Sequence, residues 1–106
     1  VVISTLPISS QYISKYKTLK KSNIPLITFI TDISSHSEWI HKNTDFYFVG
    51  DESIKKSLID KGIDENKIIV SGIPVKQGFK NNIIKFDKEK SKEILIMGGG
   101  LGLISF

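Results

Sequence analysis

Apolar positions along the chain follow two alternating rhythms. Val1 to Thr5 is a run of β-branched character, and Pro7 closes it, because a proline cannot donate to a sheet ladder. Ile8, Tyr12, Ile13, Tyr16 and Leu19 then recur at helical spacing with Lys and Ser between them, which predicts an amphipathic helix ending before "SNIP". Leu26 to Thr31 is a second, nearly continuous apolar run. A polar stretch follows, "TDISSHSEWIHKNTD", with a short helix expected around Glu38 to His41, and "FYFVG" supplies a third strand. Asp51 is placed to cap a helix whose Ile54, Leu58 and Ile59 share one face, and Gly62 stands where such a helix stops. "KIIVSG" is a fourth strand, closed by "GIP".

Strands alternating with helices imply right-handed crossovers and an open parallel sheet of Rossmann type. Runs that are apolar at consecutive positions predict a sheet covered by helices on each side. Ligands of such sheets lie beyond the carboxyl ends of the strands. That rule gathers Ser4 and Thr5, Thr31 and Asp32, Gly50, Ser71 and Gly72, and Gly98 to Gly100 on one edge.

The pattern changes after Lys76. "KQGFKNNIIKFDKEKSKE" is rich in Lys and Asn and reads as an interdomain linker or surface crossover. "ILIMGGGLG", residues 94 to 102, then begins another strand that feeds a glycine run. Glycines after a strand let the backbone approach a diphosphate, although the run fits neither GxGxxG nor GxxxxGK[ST] and is also compatible with a tight turn.

Length and composition narrow the function classes. A chain of 106 residues suffices for one modest domain and excludes two full ones. With no initiator Met and an apolar opening, it reads as a fragment. It shows neither a secretory signal nor an apolar run near the roughly 20 residues of a membrane span. The absence of cysteine rules out disulfides and thiolate metal sites and is compatible with a reducing cytoplasm. The net charge is +4, and all 15 basic residues are Lys. A basic surface favours anionic lipid or nucleic acid, but without Arg to read phosphate and guanine bidentately, nucleic acid is disfavoured as a partner.

Chemistry concentrates in residues 31 to 41. Asp32 at a strand end can orient a histidine or a substrate hydroxyl, a neutral His36 or His41 can act as a base, and Trp39 can stack on a sugar or lipid. The structural alternative is equally open: Asp32 caps the loop, Trp39 fills a gap and both histidines are solvated. The histidine spacing and the lack of a third ligand speak against zinc, and no metal or cofactor is expected.

Taken in order, "STLP", "ITFITDISSHSEWIH", "DFYFVGDESIKKSLIDKGIDENKIIVSGIPV" and "ILIMGGGLG" resemble the monogalactosyldiacylglycerol synthases of plants and the related processive diacylglycerol glucosyltransferases of bacteria. The resemblance implies a GT-B architecture: an acceptor domain for diacylglycerol and a donor domain for UDP-glucose or UDP-galactose, which transfer a hexose with inversion at the anomeric carbon. It implies an enzyme in the cytoplasm, peripheral on the anionic inner face of the membrane. Residues 1–78 then correspond to the later half of the acceptor domain, 79–93 to the interdomain linker and 94–106 to the start of the donor domain. On the same footing Asp32, His36, Trp39 and His41 fall on the acceptor or lipid pocket, and Gly98, Gly99, Gly100 and Gly102 on the donor diphosphate loop. The family's catalytic base is expected upstream of Val1, so these 106 residues alone are expected to be inactive. The alternatives are the related transferase that adds N-acetylglucosamine to a lipid-linked peptidoglycan precursor, and a non-catalytic nucleotide-binding module.

Overall fold

A computed structural model describes residues 1–79 of the chain. The chain divides into two compact units, Val1–Val75 and Lys76–Phe106. In the second, a single turn of 3-10 helix at Gln77–Phe79 is described. The strand and glycine run predicted at residues 94 to 102, with Gly98, Gly99, Gly100 and Gly102, lie outside the described residues.

The first unit runs β1 (Val2–Ser4), α1 (Pro7–Lys20), β2 (Leu26–Phe29), a 3-10 turn (Ser37–Trp39), β3 (Phe46–Val49), α2 (Glu52–Asp60), a 3-10 turn (Glu65–Lys67) and β4 (Ile68–Val70). The four strands form one sheet in the order β1-β2-β3-β4, and every pair is parallel. The predicted α/β class and order of elements are therefore present. Since all strands point the same way, Ser4 and Thr5, Thr31 and Asp32, Gly50, and Ser71 and Gly72 do emerge at one edge.

Both helices cover the same face of the sheet. Each crossover advances in the same direction, so right-handed connections all fall on one side. On that side Ile30, Tyr47, Val49 and Ile68 pack with Ile54 and Leu58 of α2 and with Trp39 in one apolar core. The other side carries Ile3, Ile27, Phe29, Phe46, Phe48 and Ile69. The rings of Phe29 and Phe48 stack there with centroids 4.6 Å apart, while Ile3, Phe46 and Ile69 are exposed. The expected second layer of helices is not among the described elements.

The two helices are seated by different physics. In α2, the Asp51 side chain accepts hydrogen bonds from the backbone N–H groups of Ser53 and Ile54, satisfying donors that a helix start leaves open. At the other end Gly62 adopts φ 87°, and the N–H groups of Gly62 and Ile63 reach the carbonyls of Ile59 and Leu58. This paired closure needs a left-handed residue, which glycine supplies without a Cβ clash. Ile54 and Leu58 are buried as their spacing predicts.

In α1 the orientation is the reverse of the simple amphipathic expectation. Its buried residues are Ser10 and Ser14, whereas Ile8, Tyr12, Tyr16 and Leu19 are exposed. The Ser10 hydroxyl pairs with that of Thr28 at 2.9 Å, both fully buried. Ser14 accepts from the Asn43 backbone N–H through its hydroxyl and from the Asn43 side-chain amide through its carbonyl. Lys17 donates to Asp45 and to the Asn43 carbonyl, and the same Asp45 oxygen accepts the Leu26 N–H at 2.7 Å. Polar partners on β2 and on the segment before β3 select the serine–lysine face of the helix.

Burial on its own would raise the Asp45 pKa. The Leu26 N–H and the bond and charge of Lys17, with the Lys67 charge, outweigh it and hold the carboxyl below its ordinary range. The Asp51 carboxyl is likewise lowered, first by the Ser53 hydroxyl and then by the N–H groups it caps.

Two predictions follow from these contacts. Ser10→Ala adds no polar atom to the interior, yet it leaves the Thr28 hydroxyl without its partner and is expected to cost about 1–2 kcal/mol in urea unfolding; a neutral result would mean that α1 is held by apolar packing. Depressed carboxylate pKa values give stability that is present above the unfolded-state pKa and lost as pH falls through the folded one. The melting temperature should therefore drop between about pH 5 and pH 2, and Asp51→Asn, which keeps a cap without a titrating charge, should make that drop shallower.

Candidate functional site

The chemistry-bearing loop leaves the carboxyl end of β2 and is tied down at three points. The Trp39 indole Nε1–H donates to an Asp32 carboxylate oxygen at 2.8 Å. Lys61, at the C-cap of α2, donates to the Ser35 carbonyl, and the Ser35 hydroxyl pairs with Ser57 of that helix. His41 is held by the Tyr47 hydroxyl, which accepts from its backbone N–H and donates to its carbonyl. A loop of 16 residues, 30 to 45, is thereby fixed to both β3 and α2.

Trp39 is 1% exposed and belongs to the core of the described unit. This burial favours the structural alternative, in which Trp39 fills a gap, and leaves no indole face exposed on the described unit. What it offers instead is a rigid donor that fixes the exposed Asp32 carboxylate at the sheet edge. A buried indole N–H needs such a partner, and this need explains the pairing.

His41 is turned towards α1. Its Nε2 lies 3.1 Å from the Pro7 carbonyl. A carbonyl only accepts, so Nε2 carries the proton, and in the neutral ring Nδ1 is left as an acceptor. Pro7 begins α1, where its missing N–H would have no intrahelical partner in any case. The imidazole thus bridges the loop after β2 to the first turn after β1. His36 is exposed and precedes the 3-10 turn without capping it through its side chain. Among the described residues, no hydrogen bond joins its ring to Asp32 or His41.

Between the first turn of α1 and the Ser37–Trp39 turn lies a groove of about 500 Å³, lined by Pro7, Ile8, Gln11, Ser37, Glu38, Ile40 and His41. Its lining mixes apolar Pro7, Ile8 and Ile40 with an imidazole, a carboxylate, an amide and a hydroxyl, and each of the two segments contributes both kinds. Of the four predicted pocket residues it contains His41. Asp32 and Trp39 form a pair beside it, and His36 stands apart. The predicted residues missed Ile8, Gln11 and Glu38, because only the crossover from β1 to β2 brings residues 7 to 11 against 37 to 41. Among the described residues no three His, Asp or Glu side chains converge as a metal site.

Residues 1–75 match the family of monogalactosyldiacylglycerol (MGDG) synthases. The chain belongs to the MGDG synthase family. A processive diacylglycerol beta-glucosyltransferase of Bacillus cereus strain AH187 is 32% identical over 98% of the chain and 28% of its own length. A protein of the same description from Bacillus thuringiensis strain Al Hakam is 32% identical over 94% of the chain and 27% of its own length. The chain therefore spans little more than a quarter of the relatives it matches. No solved structure matches it. In this chain the groove and the Asp32–Trp39 pair lie at the sheet edge at which parallel α/β folds receive ligands.

The core placement of Trp39 carries a direct expectation. Trp39→Ala should destabilise the unit by about 3–5 kcal/mol through the cavity it opens, and Trp39→Phe by about 1–2 kcal/mol through loss of the bond to Asp32. Both are measured by chemical unfolding. An unchanged stability in either variant would place the indole outside the core.

Proposed function

We propose that this chain forms part of the acceptor-binding half of a glycosyltransferase that moves a hexose from a UDP-sugar to diacylglycerol. The observation that carries the reading is the groove of mixed lining at the carboxyl end of β1 and β2. Its apolar Pro7, Ile8 and Ile40 suit the start of acyl chains, and its polar Gln11, Ser37, Glu38 and His41 suit a glycerol headgroup. An amphiphilic acceptor needs both kinds of contact at once. Membership of the MGDG synthase family and the activity for which the relatives are named support the same substrate class.

In the proposed reaction the free hydroxyl of diacylglycerol attacks the anomeric carbon of the sugar. A carbon–oxygen bond forms to the glycerol, the bond to the diphosphate breaks, UDP leaves with the electron pair, and the acceptor proton passes to a base. The residues described here serve the acceptor side. His41, with Nε2 engaged by Pro7, presents Nδ1 to accept from a hydroxyl, and Glu38 offers a carboxylate. Asp32, held by Trp39, remains a proposed contact at the rim, and His36 another. The donor side is assigned to the glycine run Gly98, Gly99, Gly100 and Gly102, with UDP-glucose or UDP-galactose as donor. The enzyme so described works peripherally on the inner face of the cell membrane.

The test is transfer of labelled sugar from UDP-glucose or UDP-galactose to diacylglycerol by the longest native form that carries these residues. A lipid-soluble labelled glycolipid is expected, and its absence with both donors would overturn the proposal. His41→Ala is expected to raise KM for diacylglycerol by about tenfold, the loss of one hydrogen-bonded contact of about 1.4 kcal/mol, with KM for the UDP-sugar unchanged. A change confined to the donor KM would remove His41 from the acceptor groove.

A further inference from the structure

We infer that the described unit carries an anion site at the amino-terminal edge of its sheet, built for the phosphoryl group of a small water-soluble molecule. A cavity of about 340 Å³ opens there, where the last turn of α1 meets the segments that lead into β2, β3 and β4. Lys17, Lys42 and Lys67 line it together with Asn23, Thr44 and Asp45. The groove lies at the carboxyl ends of β1 and β2, on the opposite edge of the sheet. The anion site is therefore independent of the acceptor reading.

The charges of the cavity select its ligand. Three lysines meet one aspartate there, and Lys17 neutralises it: the same Asp45 oxygen accepts the Lys17 ammonium at 2.5 Å and the Leu26 N–H at 2.7 Å. The Lys17 side chain is held in place and only 9% exposed. Its ammonium has three N–H donors, of which Asp45 and the Asn43 carbonyl take two. Lys42 and Lys67 are exposed and, among the described residues, form no ion pair. Two positive charges are thus left for a ligand, which matches the charge of a phosphate group at neutral pH.

Thr44 is a second, independent pointer to a ligand. It lines the cavity, is 2% exposed, and its hydroxyl has no hydrogen-bond partner among the described residues. A buried hydroxyl without a partner costs stability. By turning about its Cα–Cβ bond it can donate to an anion seated between the lysines, so the ligand removes a cost that the free protein carries. Thr44, Lys42 and Lys67 also border a second cavity of about 330 Å³, whose acid, Asp64, is engaged by the Asn66 N–H groups. The first cavity has no apolar residue in its lining. An acyl chain finds no contact there, so the ligand is free phosphate or a soluble phosphate monoester rather than a lipid headgroup.

The experiment measures the melting temperature of the longest native form carrying these residues as inorganic phosphate replaces sodium chloride at constant ionic strength and neutral pH. A saturable rise of about 2–6 °C is expected at a tenfold excess of phosphate over its dissociation constant. Lys42→Gln/Lys67→Gln should shift half-saturation to about tenfold more phosphate, with circular dichroism unchanged because both side chains are exposed. A general salting effect of phosphate would instead raise wild type and variant alike. Thr44→Val replaces the unpaired hydroxyl by a methyl group, so it should melt at or above the wild type in chloride and respond less to phosphate. The absence of a saturable rise in the wild type would overturn the inference, as would an unchanged phosphate response in either variant. A rise given by phosphatidylglycerol vesicles and not by free phosphate would overturn it too, since the ligand would then be a lipid headgroup.

Discussion

The placement of α1 depends on a row of polar contacts rather than on apolar burial. Ser10 with Thr28, Ser14 with Asn43 and Lys17 with Asp45 succeed one another along one side of the helix, the first reaching β2 and the other two the segment before β3. Buried hydroxyls, amides and charges are costly without partners, so the three pairs must form together or the helix cannot sit against the sheet. Asp45 is the centre of this arrangement. One of its oxygens receives both Lys17 and the first N–H of β2, which joins the end of α1 to the start of the second strand.

Seating the helix by its polar side fixes two other features. The first turn of α1 is brought to the loop after β2, where the Pro7 carbonyl meets His41, and the groove exists only because these two segments are held side by side. The apolar side of the helix is also turned outward. The composition of the groove and the exposure of Ile8, Tyr12 and Leu19 are thus consequences of one choice of helix face.

Much of this fold is legible in the sequence. The four strands, both helices, the cap at Asp51 and the stop at Gly62 appear where the period of apolar residues and the capping chemistry put them, because these signals act within a few residues of chain. The face of α1 is different. Its apolar spacing pointed to a buried stripe, but the partners that decide the matter, Thr28, Asn43 and Asp45, lie between 18 and 29 residues away. The groove was illegible for the same reason. Asp32 and Trp39 were visible as chemistry-bearing types, whereas the indole's position in the core depends on packing against Tyr47 and Leu58, which no local pattern records.

Two apolar surfaces remain on the described unit, and their side chains separate their roles. The sheet face presents Ile and Phe from all four strands with no charged residue between them, and a parallel sheet of this kind is stable only when both faces are covered. The helix face mixes Ile, Tyr and Leu with Lys, a combination that protein interiors exclude. The two surfaces lie on opposite sides of the sheet, so covering the Phe29–Phe48 face with polypeptide leaves the outward face of α1 and the mouth of the groove exposed on the described unit.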